Sequence, residues 1–383
     1  MSLDDLTRNA VHIAPEGGLE AKLKLGRLLR VKLGIDVTTP DVTLGHGVPL
    51  QRMAAFQREG HIGVLIVGDY TTRIGDPSGR SAARPILSDE EIDRNAKLYF
   101  EQASAIIDPE RTELRFNSEW LGKLDYAEIV RLARTATVAR LLERDDFAKR
   151  FAAQEPISIS ELLYPIMQGY DSVAVEADIE LGGTDQLYNL LMGRDVQQSY
   201  GLEPQVALTV ELLLSWDDQL MSQSKGNYIG LAEAPEQQFG KTMRIPDTVL
   251  PQWYRLVMES TDDPLAGDPL EAKLGLARFI VTRSHGEEAA KKAEDHFTRV
   301  VREGEAPEDV DEAALPAGET VHLPALLVEH LAIGSTSEAR RMIAQGGVKV
   351  NGEVVKDLDL PRDALDGALV QAGKRRFMRF RAA

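Results

Sequence analysis

The stretch VKLGIDVTTPDVTLGHGVPL, residues 31–50, decides the fold. Residues 31–36 are a short apolar run ending in glycine, isoleucine and Asp36, which reads as a strand, and residues 37–47 are rich in turn formers. In residues 49–60, Leu50, Met53, Ala54 and Phe56 recur close to helical spacing, with Gly60 placed to end the helix. The helix is expected to start near Gly45 and His46, with Pro49 tolerable only in its first turn, where no backbone N–H is required. A strand whose C-terminal end faces a helix N-terminus forms the ligand crevice of an open α/β sheet. The free N–H groups and positive dipole end there suit a phosphate. Gly45 lets a ligand approach the backbone, and His46 adds a donor. Taken alone, a histidine beside a glycine is more often a local structural residue than a ligand.

Working outward, HIGVLIVGDY (61–70) reads as a buried strand, ELRFNSEWL (113–121) as a strand followed by a turn, and DIELGG (178–183) as a further short strand. Strand–helix alternation of this kind implies an α/β fold with a parallel sheet. From about Glu233 to Thr298 the pattern becomes helical. The acid-, Ala-, Pro- and Gly-rich residues 301–320 read as a linker. Beyond it lies a small α+β unit, residues 321–383. It has two helices in 323–333 and 337–347, then a hairpin in 348–355 that turns at Asn351-Gly352.

The chain has 383 residues, enough for two or three domains. It contains no cysteine, which excludes disulfides and thiolate metal sites. It has no apolar run long enough to span a membrane, and MSLDDLTRNA lacks the basic start and apolar stretch of a secretory signal, so a cytoplasmic location is expected. A net charge of −17 argues against a globally basic nucleic-acid binder. Local charge is another matter. Arg340, Arg341, Lys349, Lys374, Arg375 and Arg376 cluster in the terminal unit, and residues 374–381 hold five basic side chains and no acid. Against an acidic chain this clustering points to RNA.

Four more stretches carry polar groups at element ends. In GDYTTRIGDPSGRSAARP (68–85) a turn after a strand presents Asp76, Arg80 and Arg84; turn chemistry alone fits a solvated surface turn equally well. In ELLYPIMQGYD (161–171), Tyr164, Gln168 and Asp171 are spaced i, i+4, i+7 and share one helix face. Pro165 must then start or kink that helix, and a polar solvent face is the plainer reading. GGTDQLYN (182–189) sets Gly183, Asp185 and Gln186 at a strand end. LMSQSKGNYIGL (220–231) is a small-residue polar loop with Met221, Ser222, Gln223, Ser224 and Lys225.

In this order, LGID…TLGHG, IGDPSGR, NSEW, LLYPIMQGYD, GGTDQ and MSQSKGNYIGL resemble the bacterial tyrosyl-tRNA synthetases over nearly the whole chain. The resemblance implies a class I Rossmann-type catalytic domain at 1–232 with an inserted dimerisation segment at about 115–180. It further implies a helical tRNA-binding domain at 233–300 and a ribosomal-protein-like RNA-binding domain at 321–383. Partners would be tRNA, tyrosine and ATP, with Mg²⁺ carried by ATP and no metal cage in the protein; a homodimer is expected. By position, Asp171 would meet the substrate phenol, and Tyr164, Asp76 and Gln168 its ammonium. Asp36 and Gln186 would lie by the amino-acid and adenylate part. Thr38 and His46 would face the phosphates, with Gly34, Thr43, Gly45 and Gly183 lining the nucleotide, and Asp185 the ribose. Arg80, Arg84, Ser222, Ser224 and Lys225 would sit near pyrophosphate, together with Met221 and Gln223.

The departures fall on phosphate chemistry. The first histidine of the family's HIGH signature is Thr43 here, and both lysines of KMSKS are replaced, by Leu220 and Gln223. Lys32 stands where some relatives carry a tyrosine, and it receives no role. Two readings follow: a tyrosine–tRNA ligase with altered phosphate contacts, or a synthetase-like paralogue that binds tyrosine or RNA with little activation.

Overall fold

The computed structural model describes residues 2–73, 87–303, 310–373 and 376–382. The chain divides into two compact units, one of Met1–Ala234 with Lys241–Ser284, the other of Pro235–Gly240 with His285–Ala383.

The first unit is built on a six-stranded sheet: β1 (Ala10–Ala14), β2 (Arg30–Ile35), β3 (Ile62–Val67), β4 (Thr112–Phe116), β5 (Ile179–Gly183) and β6 (Val206–Val210), in the order β1-β6-β5-β2-β3-β4. All neighbours are parallel except β1, which runs antiparallel to β6. The chain winds outward from β2 through β3 to β4, then restarts at β5 and winds the other way to β6. The switch point therefore lies between β2 and β5, where a crevice opens at the strand C-termini. Val31, Leu65, Val67, Ile179 and Leu208 are buried, as expected for strands covered on both faces. The sequence reading did not identify β1 and β6 as strands.

Helix α1 (Leu44–Arg58) follows β2. Thr43 caps it, so it begins as expected, but Pro49 is its sixth residue, past the first turn. The helix continues because the proline deprives only one carbonyl, that of Gly45, of its usual i+4 partner. Helix α2 (Ile159–Ala174) is opened by a capping box between Ser158 and Glu161. Pro165 is its seventh residue and does not start it. The face carrying Tyr164 and Asp171 is buried, which removes the solvent-face reading. Helix α3 (Leu187–Ser199) packs on α2 through Gly169, where an added Cβ would lie 2.8 Å from Val196 and 3.3 Å from the Gly193 backbone.

The helical stretch after residue 233 does not form a layer of its own. Trp253, Leu256, Leu276 and Ile280, from helices Leu250–Leu256 and Pro269–His285, join the core of the first unit. Helix Glu287–Phe297 belongs to the second.

The second unit has a separate core that includes Leu327, Ile343, Val370 and Phe380. Its strands are β7 (Glu312–Ala314), β8 (Thr320–His322), β9 (Val348–Val350), β10 (Glu353–Val354), β11 (Asp359–Pro361), β12 (Leu369–Ala372) and β13 (Arg376–Arg381). Five form a sheet in the order β10-β9-β12-β13-β7, and β8 pairs with β11. The hairpin turns at Asn351 and Gly352, with φ of 49° and 87°, the left-handed pair that a two-residue turn needs. The segment read as linker is corrected here. Glu312–Ala314 is a strand, parallel to β13 and fastened by Arg381 to Glu312 at 2.8 Å. Three residues, Glu-Ala-Ala, are enough to add an edge strand, but too few to show a period in sequence. Among the described residues, no helix is long and apolar enough to cross a membrane.

Candidate functional site

The switch point gathers part of the expected set. Asp36 follows β2, Asp69 and Thr71 follow β3, Asn117 follows β4, and Gly183 ends β5 with Asp185 and Gln186 just after it. Each strand ends its apolar run there, so each first polar residue is delivered to the same edge.

A continuous hydrogen-bonded chain crosses this edge. Tyr164 on α2 donates to Asp36 at 3.0 Å, and Thr71 donates to the other Asp36 oxygen at 3.3 Å. Asn117 donates to Thr71 at 3.1 Å and to Asp171 at 3.4 Å, and the Trp120 indole donates to the second Asp171 oxygen at 2.8 Å. Gly68 is required here: a Cβ would collide with both Asp36 and Thr71. Asp171 is 4% exposed, and burial pushes its carboxyl up to about 7, against the opposing pull of Lys32 and of the two donors. A buried carboxyl at this balance point accepts a hydrogen bond readily and leaves a large penalty if none is offered.

Below this chain lies a charge pair. Lys32 on β2 and Glu180 on β5 are cross-strand partners, 0% and 1% exposed, with 2.8 Å between Nζ and Oε1. Lys32 also donates to Ser172 Oγ at 2.8 Å and to the Gln168 carbonyl at 2.9 Å. Gln168 reaches Glu180 through its side-chain nitrogen at 3.1 Å. On the β5 side, Asn189 donates to Gln186 at 2.8 Å. Asp185 is exposed.

The helix α1 end is organised by a reciprocal cap. The His46 N–H donates to Thr43 Oγ1 at 3.2 Å, and the Thr43 N–H donates to His46 Nδ1 at 3.3 Å. Burial lowers the imidazole to about 4, so the ring is neutral near pH 7. With Nδ1 accepting, the proton sits on Nε2, and His46 is a neutral donor. Thr43 thus serves the cap. An added Cβ on Gly45 would make only ordinary contacts with Thr43 and Met221, and one on Gly34 would meet open space. Thr38 is half-buried on the loop between β2 and α1.

The 220–231 loop is tied to the same loop. Gln223 donates its amide to the Asp41 carbonyl at 2.5 Å, and the Tyr228 hydroxyl donates to the Asp41 carboxylate at 2.7 Å. Backbone bonds Leu44 N–H to Ile229 and Leu231 N–H to Val42 run alongside at 2.9 and 2.8 Å. Asn227 anchors the loop from within, accepting from Ser222 N–H and donating to Asp217. The Ser222 and Ser224 hydroxyls are 2.9 Å apart, and Leu220 and Lys225 are exposed.

Asp76, Arg80, Arg84, Lys374 and Arg375 lie outside the described residues. In the second unit, Arg340, Arg341 and Arg376 are exposed and Lys349 is half-buried. The rest of the basic tail is less free than its sequence suggests: Arg381 pairs with Glu312, and Arg379 donates to the Gly367 carbonyl at 3.0 Å.

Several polar residues around the pocket received no assignment from sequence: Thr71, Asn117, Trp120, Lys32, Glu180, Ser172, Asp41 and Tyr228. One signal was available, since a lysine within the apolar run of a central parallel strand is buried and has to be paired.

Comparison with known proteins adds to this geometry. Residues 24–302 match the family model described as "tRNA synthetases class I (W and Y)", and residues 323–361 match the S4 domain. The chain is 49% identical over 389 residues to the tyrosine–tRNA ligase of Moorella thermoacetica, covering 98% of this chain and 94% of that one. It is 46% identical over 385 residues to that of Thermotoga maritima, covering 98% and 96%. Among solved structures it resembles a C-terminally truncated mitochondrial tyrosyl-tRNA synthetase of Coccidioides posadasii. The TM-score is 0.61 at 22% identity, over 77% of this chain and 90% of that one, a likeness of fold.

Proposed function

This chain belongs to the class I tRNA synthetases for tryptophan and tyrosine, and we propose that it is a tyrosine–tRNA ligase. The observation that carries the reading is the hydrogen-bonded chain Tyr164–Asp36–Thr71–Asn117–Asp171 at the switch point. It sets a buried acceptor, Asp171, at the deep end and carboxylate and phenol groups near the strand tips.

In this reading the phenol of tyrosine donates to Asp171, while Tyr164, Gln168 and Asp76 surround the ammonium. Phenylalanine is disfavoured because it offers no donor to Asp171 and covers its carboxyl with an apolar ring edge. Asp36 and Gln186 hold the amino-acid and adenylate part, and Asp185 the ribose. The tyrosine carboxylate oxygen attacks the α-phosphorus of ATP, the bond to the β-phosphate oxygen breaks, and tyrosyl-adenylate and pyrophosphate result. A terminal ribose hydroxyl of tRNA then attacks the tyrosyl carbonyl, loses its proton and releases AMP.

No side chain becomes covalently attached; alignment and charge stabilisation supply the rate. His46 contributes a neutral Nε2–H and the start of α1 its positive dipole end toward the phosphates, with Gly34, Thr38, Thr43, Gly45 and Gly183 lining the nucleotide. Arg80, Arg84, Ser222, Ser224 and Lys225, with Met221 and Gln223, attend the pyrophosphate, and Mg²⁺ arrives with ATP. The S4 unit takes tRNA through Arg340, Arg341, Lys349, Lys374, Arg375 and Arg376, and the setting is cytoplasmic.

The test is tyrosine-dependent ATP–pyrophosphate exchange followed by charging of tRNA. Exchange and charging are expected; tyrosine binding with no exchange would overturn the ligase reading in favour of an accessory protein.

The active species is a homodimer. Tyr126, Val138, Phe151 and Ile159, all within the expected dimerisation segment, are 82%, 62%, 65% and 78% exposed, a cost in water that a second copy would remove. Sedimentation equilibrium should give twice the chain mass, and a monomer at micromolar concentration would contradict it.

A further inference from the structure

The Lys32–Glu180 pair has no part in the mechanism above, yet it is the most deeply buried charge pair beside the pocket. Its hydrogen bonding is closed. Glu180 Oε1 accepts from Lys32 and from the Gln168 amide nitrogen. Glu180 Oε2 accepts from Ser172 Oγ at 3.2 Å and from the Gln205 amide nitrogen. The three protons of Lys32 meet Glu180, Ser172 and the Gln168 carbonyl. An ionised carboxylate has about four acceptor positions and no donor, and an ammonium has three donors and no acceptor. Every position on both groups is used.

This closure constrains Gln168. A side-chain amide has a donor end and an acceptor end on one carbon, and on energy alone either can face a neutral partner. A carboxylate accepts only the donor end. With the nitrogen held against Glu180, the oxygen of Gln168 is directed away from that carboxylate, and Gln168 shares a helix face with Tyr164 and Asp171 by its spacing. A neutral residue at 180 would leave the amide free to present either end.

We propose that the Lys32–Glu180 pair is a positioning device that fixes the side-chain amide of Gln168 as an acceptor toward the amino-acid pocket, and so selects a substrate bearing an α-ammonium. Lys32 is the opposite charge that pairs Glu180 out of water, and Ser172 and Gln205 hold its second oxygen. The substitution of a lysine for the aromatic hydroxyl that some relatives place at this strand position thus serves the ammonium end rather than the phenol end of the substrate.

The inference rests on the reading of Gln168 as a tyrosine ligand, and the experiment separates the two. Tyrosine and its analogue without the amino group, 3-(4-hydroxyphenyl)propionate, are titrated by calorimetry into the full-length protein and into the double variant Lys32→Met/Glu180→Gln. The double variant removes both charges together and leaves neither unpaired. The expected result is a roughly 10-fold weaker tyrosine Kd, the size of one charge-assisted hydrogen bond, with less than a 3-fold change for the analogue. In pyrophosphate exchange the KM for tyrosine should rise while kcat at saturation moves less than 3-fold. Equal weakening of both ligands, or no change in either, would overturn the proposal. Ser172→Ala, which loosens the same carboxylate while leaving both charges in place, should show the same preference on a smaller scale, so a poorly folded double variant does not remove the test. If the unaltered protein binds neither ligand, the tyrosine pocket itself is misread.

Discussion

The proposed amino-acid pocket and the loops proposed to meet phosphate hold their polar groups in opposite ways. In the pocket, charge is kept and buried: Asp171, Lys32 and Glu180 are all under 5% exposed and are satisfied by named donors and acceptors. At the loops, charge has been exchanged for neutral contacts. Thr43 caps α1, Gln223 bonds a backbone carbonyl, and Leu220 lies in solvent. A buried polar group tolerates no loss, because its partner is then left dry and unpaired, whereas a solvent-facing loop can lose a cation and keep its shape by other bonds. Under the proposed function, the tyrosine contacts are therefore the ones that should tolerate substitution least.

The largest effect should come from Asp171→Asn. The side chain keeps its size but can no longer act purely as an acceptor, and kcat/KM for tyrosine in exchange should fall by about 10²-fold or more, with a smaller change in KM for ATP. An equal loss on both substrates would mean that the pocket and loops are not separate. Next, the double change Leu220→Lys/Gln223→Lys should raise the exchange rate, by up to about 10-fold if one phosphate contact of about 1.4 kcal/mol is restored. A lysine at 223 retains an N–H donor for Asp41, and one at 220 is already in solvent. No gain would mean that the tied loop already does what the cations would do. Tyr228→Phe removes only the bond to the Asp41 carboxylate and should lower exchange about 3-fold, read mainly in KM for ATP.

The smallest effect concerns stability and changes with pH. The Asp171 carboxyl is raised in the fold from 3.8 to about 7, so the folded protein binds the extra proton. Its contribution favours the fold below pH 4 and is lost as pH rises through 7. Asp171→Asn should therefore raise Tm by a few degrees at pH 8 and have no such effect at pH 4. A gain at both values would point to packing rather than protonation.

Much of this was legible in the sequence because strand ends and helix starts are local. Asp36 and Gln186 each sit just beyond an apolar strand, and Asp171 is placed by its helical spacing from Tyr164. The Asn351-Gly352 turn was legible for the same reason. What remained hidden depends on pairs far apart in the chain. Lys32 and Glu180 are separated by nearly the whole sheet crossover, and neither announces its partner. Asp41 reads as a loop acid until Gln223 and Tyr228 are seen to share it. The helices around Trp253 gave no sign of which core they would join.

Strand β7 carries a consequence for where this protein can be cut. Glu312–Ala314 precedes every other strand of the second unit, yet it closes one edge of that sheet beside the last strand, β13. A fragment begun at residue 321, the boundary expected from sequence, would expose the open hydrogen-bonding groups of β13 to any passing strand. Excised with residue 310 or earlier, the unit carries its own edge guard; excised later, it is built to stick.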